Sequence, residues 1–78
     1  MKINFKRIRE IRMQKGYSQE YMAHILNISQ SKYSRLENGS INFNVPTLSK
    51  LIITLEVNPF EIVSLSSELK KLMQKHKD

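Results

Sequence analysis

The two glycines and two prolines of this 78-residue chain all fall at the borders of segments with helical periodicity. Such punctuation restricts the chain to short helices joined by tight turns, because Gly frees the backbone and Pro is accommodated only in a first helical turn. Phe5, Ile8 and Ile11 stand at helical spacing in a run of good helix formers that reaches Lys15, and Gly16 ends it. Ser18 is a natural N-cap for a second helix whose buried stripe is Met22, Ala23 and Leu26. Asn27 tolerates the left-handed conformation and marks the next break. Ser29 caps a third helix from Gln30 to about Asn38, closed by Gly39. Asn44-Val45-Pro46 opens a fourth, with Leu48, Leu51, Ile52 and Leu55 inward. Asn58-Pro59-Phe60-Glu61 opens a fifth, with a cap, Pro at the first position and Glu three residues after the cap. Residues 51–55 have strand-like composition but are too few against the flanking helix signals. The expectation is an all-α single domain over 1–78 with no strand.

The length suits one small core of marginal stability, which a second subunit would help. With no Cys, disulfide scaffolds, thiolate nucleophiles and Cys-based zinc sites are excluded. No apolar run approaches the roughly 18 residues of a membrane span, and the basic opening residues lack the apolar stretch of a signal peptide. A cytoplasmic protein with no membrane role is expected. Thirteen Lys and Arg against seven Asp and Glu give a net charge of +6. Residues 1–15 alone carry Lys2, Lys6, Arg7, Arg9, Arg12 and Lys15 against Glu10. A basic segment beside a neutral body attracts polyanions, and it equally serves as a solvated face that keeps a small protein in solution.

The third helix divides its residues by chemistry. At about 100° per residue, Gln30, Ser31, Ser34, Arg35 and Asn38 share one arc, while Tyr33 and Leu36 lie on the other side. A helix that enters the DNA major groove needs apolar anchors inward and donors and acceptors outward: Gln pairs with adenine, Arg with guanine, Ser with either. An ordinary surface helix of a bundle shows a similar division. The tight join to the preceding helix separates the two readings. Met22 and Ala23, then Asn27-Ile28-Ser29, then Tyr33 and Leu36 describe two short helices across a three-residue turn, with small Ala23 at the crossing and Ile28 at the corner.

On these residues the chain resembles the Cro- and phage-repressor-like (XRE) helix-turn-helix regulators. Residues 11–23 are similar to the family's first helix, glycine and second-helix opening. Residues 29–39 are similar to its recognition helix and closing Glu-x-Gly, and Leu48, Leu51, Leu55 and Val57 to its fourth helix and exit. The resemblance spans about residues 5–65 and implies a five-helix lambda-repressor-like fold, helices 2 and 3 forming the helix-turn-helix, with residues 66–78 as a helical tail.

The resemblance further implies that Gln30, Ser31, Ser34 and Arg35 face bases. Gln19 would bind a phosphate and brace Gln30, with Lys32 and Asn38 nearer the DNA backbone. Arg12 and Glu37 match an ion pair tying the first helix to the end of the third. Three positions depart from the pattern: Asn27 replaces the usual turn glycine, Tyr33 stands where Ile or Val is usual, and the loop 40–44 has no Lys or Arg. The hydroxyl of Tyr33 must reach water or a partner. Backbone contacts that a basic loop would make pass to Lys2, Lys6, Arg7 and Arg9 or are lost, with Lys6 and Arg7 taken as the phosphate ligands.

His24 and His76 belong to no ligand pattern, and seven acids spread over separate helices assemble no catalytic pair. No enzyme activity, metal or cofactor is expected. From Ile62, apolar residues recur at Leu65, Leu69, Leu72 and Met73, a stripe along a helix to about Lys75 that packs on a second subunit, folds back on its own domain or frays. The expected function is a sequence-specific double-stranded DNA-binding transcriptional regulator, a homodimeric repressor on an inverted-repeat operator. The alternative is an antitoxin-like protein-interaction module that neutralises a toxin-like partner and binds DNA for autoregulation.

Overall fold

The computed structural model describes residues 2–64. Its helices are α1 (Phe5–Gln14), α2 (Gln19–Leu26), α3 (Gln30–Glu37), α4 (Val45–Leu55) and α5 (Pro59–Ile62). Each starts on an Asn or Ser whose side-chain oxygen accepts an N–H that the first turn would otherwise leave unpaired. Asn4 accepts from the Arg7 N–H at 3.1 Å, Ser18 from Tyr21 at 2.9 Å and Ser29 from Lys32 at 3.1 Å. Asn44 accepts from Thr47 at 2.8 Å and Asn58 from Phe60 at 2.9 Å. Two helices end on a left-handed residue other than glycine. At Asn27 (φ 57°) the Ile28 N–H returns to the Ala23 carbonyl at 3.0 Å, the tight join between α2 and α3. Glu56 (φ 54°) ends α4 in the same way without the local compensation that Asn offers.

Ile8 and Ile11 from α1, Met22, Ala23 and Leu26 from α2, and Tyr33 from α3 meet Leu48, Leu51, Leu55 and Ile62 in one buried cluster. Ile28 and Ile52 pack at its margin. The α2–α3 pair is braced from both sides, since α1 packs on α3 and α5, and α4 packs on α2. At the end of α3, Gly39 (φ 82°) lies against the Phe5 ring, where an added Cβ would stand 3.3 Å from Phe5 Cδ2 and Cε2.

The strand-free expectation fails at one place. Lys2–Ile3 (β1) pairs antiparallel with Val63–Ser64 (β2), Lys2 opposite Ser64 and Ile3 opposite Val63. The Asn4 N–H also donates to the Ile62 carbonyl at 2.7 Å. α5 therefore lasts one turn, and the helix expected to continue from Ile62 is broken at Val63–Ser64. β-branched Val63 favours the extended state, and capping of α1 by Asn4 leaves Lys2–Ile3 extended beside it. This pairing joins opposite ends of the described chain, so periodicity along the sequence carries no trace of it. Leu65, Leu69, Leu72, Met73, His76 and the whole tail 66–78 lie outside the described residues. Among the described residues no helix is long and apolar enough to cross a membrane.

Candidate nucleic-acid interface

Tyr33 and Leu36 sink into the protein from α3, at 0% and 2% exposure, and turn the rest of the helix outward. Gln30, Ser31, Lys32, Arg35 and Asn38 are exposed and Ser34 is half-buried. The outward residues of α3 thus form a continuous polar surface of hydrogen-bonding side chains, with Arg35 in its last turn.

A polar cluster behind α3 fixes its angle. Arg12 reaches from α1 to Glu37 through two parallel bonds, Nε to Oε2 at 2.7 Å and Nη2 to Oε1 at 2.9 Å. Its Nη1 donates to the Tyr17 carbonyl at 2.7 Å, taking in the turn before α2. The Gln19 amide donates to Glu37 Oε1 at 3.2 Å, taking in the start of α2. Among the described residues no hydrogen bond joins Gln19 to Gln30; the nearby carboxylate is the stronger acceptor and holds the amide. The Tyr17 and Tyr21 rings, with centroids 4.7 Å apart, flank the same turn.

Burial pushes the Glu37 carboxyl upward, but the hydrogen bonds from Arg12 and Gln19 and the Arg12 charge outweigh it, and the group titrates below its ordinary range. The bond to Glu37 keeps Arg12 protonated against its own burial. Tyr33 is raised well above an ordinary phenol, first by burial and then by the adjacent Glu37 charge. Its hydroxyl, expected to reach water or a partner, has no hydrogen-bond partner among the described residues. The residue fills the core with its ring and leaves the oxygen beside the ion pair.

The two expected phosphate ligands of α1 differ. Lys6 is exposed. Arg7 is half-buried and already engaged by Glu61 at 3.1 Å and Glu10 at 3.4 Å. The Glu61 side chain, which could have reached back to its own helix cap, is thereby committed to α1. Arg9, by contrast, lines a polar depression beside α3 with Arg12, Gln19, Ser34, Glu37 and Asn38. It is one helical turn before Arg12 and so shares its face, a signal that the sequence already held. Among the described residues no group of His, Asp or Glu side chains could hold a metal ion.

A helix-turn-helix family model matches residues 8–62 of this chain. The chain belongs to the Cro- and phage-repressor-like (XRE) helix-turn-helix family. As an XRE-type protein it is a DNA-binding transcription regulator, with α2 and α3 as the motif of a lambda-repressor-like fold. Its structure is similar to that of the restriction-modification controller protein C.AhdI from Aeromonas hydrophila: 33% identity, TM-score 0.66, 73% of this chain and 86% of that one covered. It is also similar to a chain of the SinR protein/SinI protein complex: 27% identity, TM-score 0.68, 91% of this chain and 75% of that one covered. No curated protein matches the XRE-type chain.

Proposed function

We propose that this XRE-type regulator reads duplex DNA sequence through α3 and acts as a cytoplasmic, non-catalytic homodimeric repressor on an inverted-repeat operator. The exposed polar surface of α3, held by Tyr33, Leu36 and the Arg12–Glu37 pair, is the observation that supports this most. Gln30, Ser31, Ser34 and Arg35 are the base-facing residues, and Gln19, Lys32, Asn38 and Lys6 are backbone ligands. Twofold symmetry follows from the reach of one short helix, which covers only a few base pairs. Two copies read half-sites roughly 34 Å apart.

A second reading is an antitoxin-like module whose first task is to cover a protein partner. It draws on the similarity to SinR, which was solved in complex with SinI, and on the exposed Val45, Ile53 and Phe60 side chains of α4 and α5. Selection from randomised duplex DNA at fixed near-physiological salt tests the two. Recovery of an inverted repeat is the expected result for the repressor. Enrichment of nothing beyond random sequence rejects it in favour of the partner-dependent module.

A further inference from the structure

Glu37 lies between one donor on its solvent side and another on its core side. Its side chain leans back over the turn of α3 that carries Tyr33, four residues earlier on the same helix face. The Arg12 guanidinium takes Oε2 at 2.7 Å and Oε1 at 2.9 Å, and the Gln19 amide reaches Oε1 at 3.2 Å. A carboxylate offers about four acceptor positions, so these three bonds leave room for a further donor. Gln19 is half-buried and lines the polar depression where α1, α2 and α3 meet. Tyr33 is 0% exposed, and its hydroxyl has no partner among the described residues.

A buried hydroxyl without a partner is costly, whereas an aliphatic side chain would fill the core without that cost. The cost is recovered only in a state where the hydroxyl donates, and the acceptor beside it is the Glu37 carboxylate. Burial and that charge raise the phenol far above its ordinary range, so it keeps its proton and stays available as a donor. Of the bonds to Glu37, the one from Gln19 is the easiest to give up. It is the longest, and it comes from a neutral amide, whereas the Arg12 bonds join two charges. When that amide turns outward to a phosphate, the buried carboxylate loses a donor, and Tyr33 is the neighbouring group that can replace it.

We propose that Gln19 and Tyr33 exchange at Glu37: the amide holds the carboxylate in the free protein, and the Tyr33 hydroxyl donates to it once the amide turns to the DNA backbone. Tyr33 touches no DNA. It is a positioning residue that holds Glu37, and with it the angle of α3, while Gln19 is released. The inference rests on the reading of Gln19 as a backbone ligand.

Thermal melts and duplex binding of the full chain carrying Tyr33→Phe, Gln19→Ala or both test it. Alone, Tyr33→Phe should raise the melting temperature, because it deletes an unpartnered hydroxyl. In the Gln19→Ala background it should lower the melting temperature, because there the hydroxyl has already moved to Glu37. A Tyr33 that only fills space gives the same sign in both backgrounds, and that result overturns the exchange. A lowered melting temperature for Tyr33→Phe alone also overturns it, since the hydroxyl would then be bonded before DNA arrives.

On a mixed-sequence duplex at fixed salt, Gln19→Ala and Tyr33→Phe should each weaken binding by about three- to tenfold, the worth of one hydrogen bond. The two losses should not add, so that the double variant matches Gln19→Ala. Tyr33→Phe should leave the slope of log K against log salt unchanged, because no phosphate contact is removed. Wild-type binding by Tyr33→Phe overturns the link to DNA whatever the melts show. Wild-type binding by Gln19→Ala removes Gln19 from the backbone ligands and the DNA-linked exchange with it. A wild-type chain that binds no duplex at any salt overturns the DNA-binding reading itself.

Discussion

Arg12 and Glu37, 25 residues apart, form a two-bond ion pair with side chains only 11% and 4% exposed. The pair closes α1 onto the end of α3, while its outer contacts take in the Tyr17 carbonyl and the Gln19 amide. Removing one member leaves a buried charge without its partner. Arg12→Met is expected to lose about 3–5 kcal/mol, and the Arg12→Met/Glu37→Leu double variant to recover a substantial part of it. Urea unfolding of the three proteins gives the comparison; a double variant no better than the single would refute the account.

The same pair sets a pH dependence. The Glu37 carboxyl titrates lower in the folded state than in the unfolded chain, where its ordinary value is near 4.5. Its contribution is therefore fully present above that value and is lost as pH falls through the depressed folded value. The melting temperature should drop more steeply below about pH 4.5 in the wild type than in Glu37→Gln, which has nothing to titrate. Parallel curves for the two proteins would contradict this.

Tyr33 carries an unpartnered buried hydroxyl. Tyr33→Phe keeps the ring and deletes the oxygen, so stability should rise by about 1 kcal/mol. A loss of similar size would show instead that the hydroxyl donates to Glu37.

Gly39 and Glu56 both have positive φ and should respond in opposite directions. Gly39→Ala adds a Cβ in a left-handed conformation against the Phe5 ring, and about 1–2 kcal/mol should be lost. Glu56→Gly relieves backbone strain and should gain up to about 1 kcal/mol. The long Lys15–Glu56 pair, with Glu56 80% exposed, contributes little that would offset this. Thermal melts of both variants decide the signs.

On a selected operator, Gln30→Ala and Arg35→Ala should each lose about 1–3 kcal/mol of affinity and relax preference at the contacted base pair. Affinity for unrelated duplex should change far less. Equal losses on both DNAs would remove these residues from the base-reading set.

Truncation after Ser66 addresses the dimer. If the stripe of Leu69, Leu72 and Met73 supplies the contact, the shortened chain sediments as a monomer; a retained dimer assigns the interface elsewhere.

Much of this protein follows from local chemistry. The Ser18, Ser29, Asn44 and Asn58 caps, the left-handed break at Asn27, the Met22–Ala23–Leu26 stripe and the polar arc of α3 are all properties of neighbouring residues, legible because capping and periodicity act over one or two turns. Glu56 in the left-handed state was not legible, since Glu has no preference for it and only the packing of Leu55 and Val57 against the core fixes it there. Nor was the β1–β2 pair, which joins Ile3 to Val63 from opposite ends of the described chain and ends α5 after one turn. The partners of the charged side chains belong to the same class. Composition counts six cations in residues 1–15, but whether Arg7 meets Glu61, Gln19 meets Glu37 or Arg9 stays free depends on which helix faces lie within a few ångströms. Coulombic attraction and hydrogen bonding act over that range, and only the assembled helices bring those atoms within it.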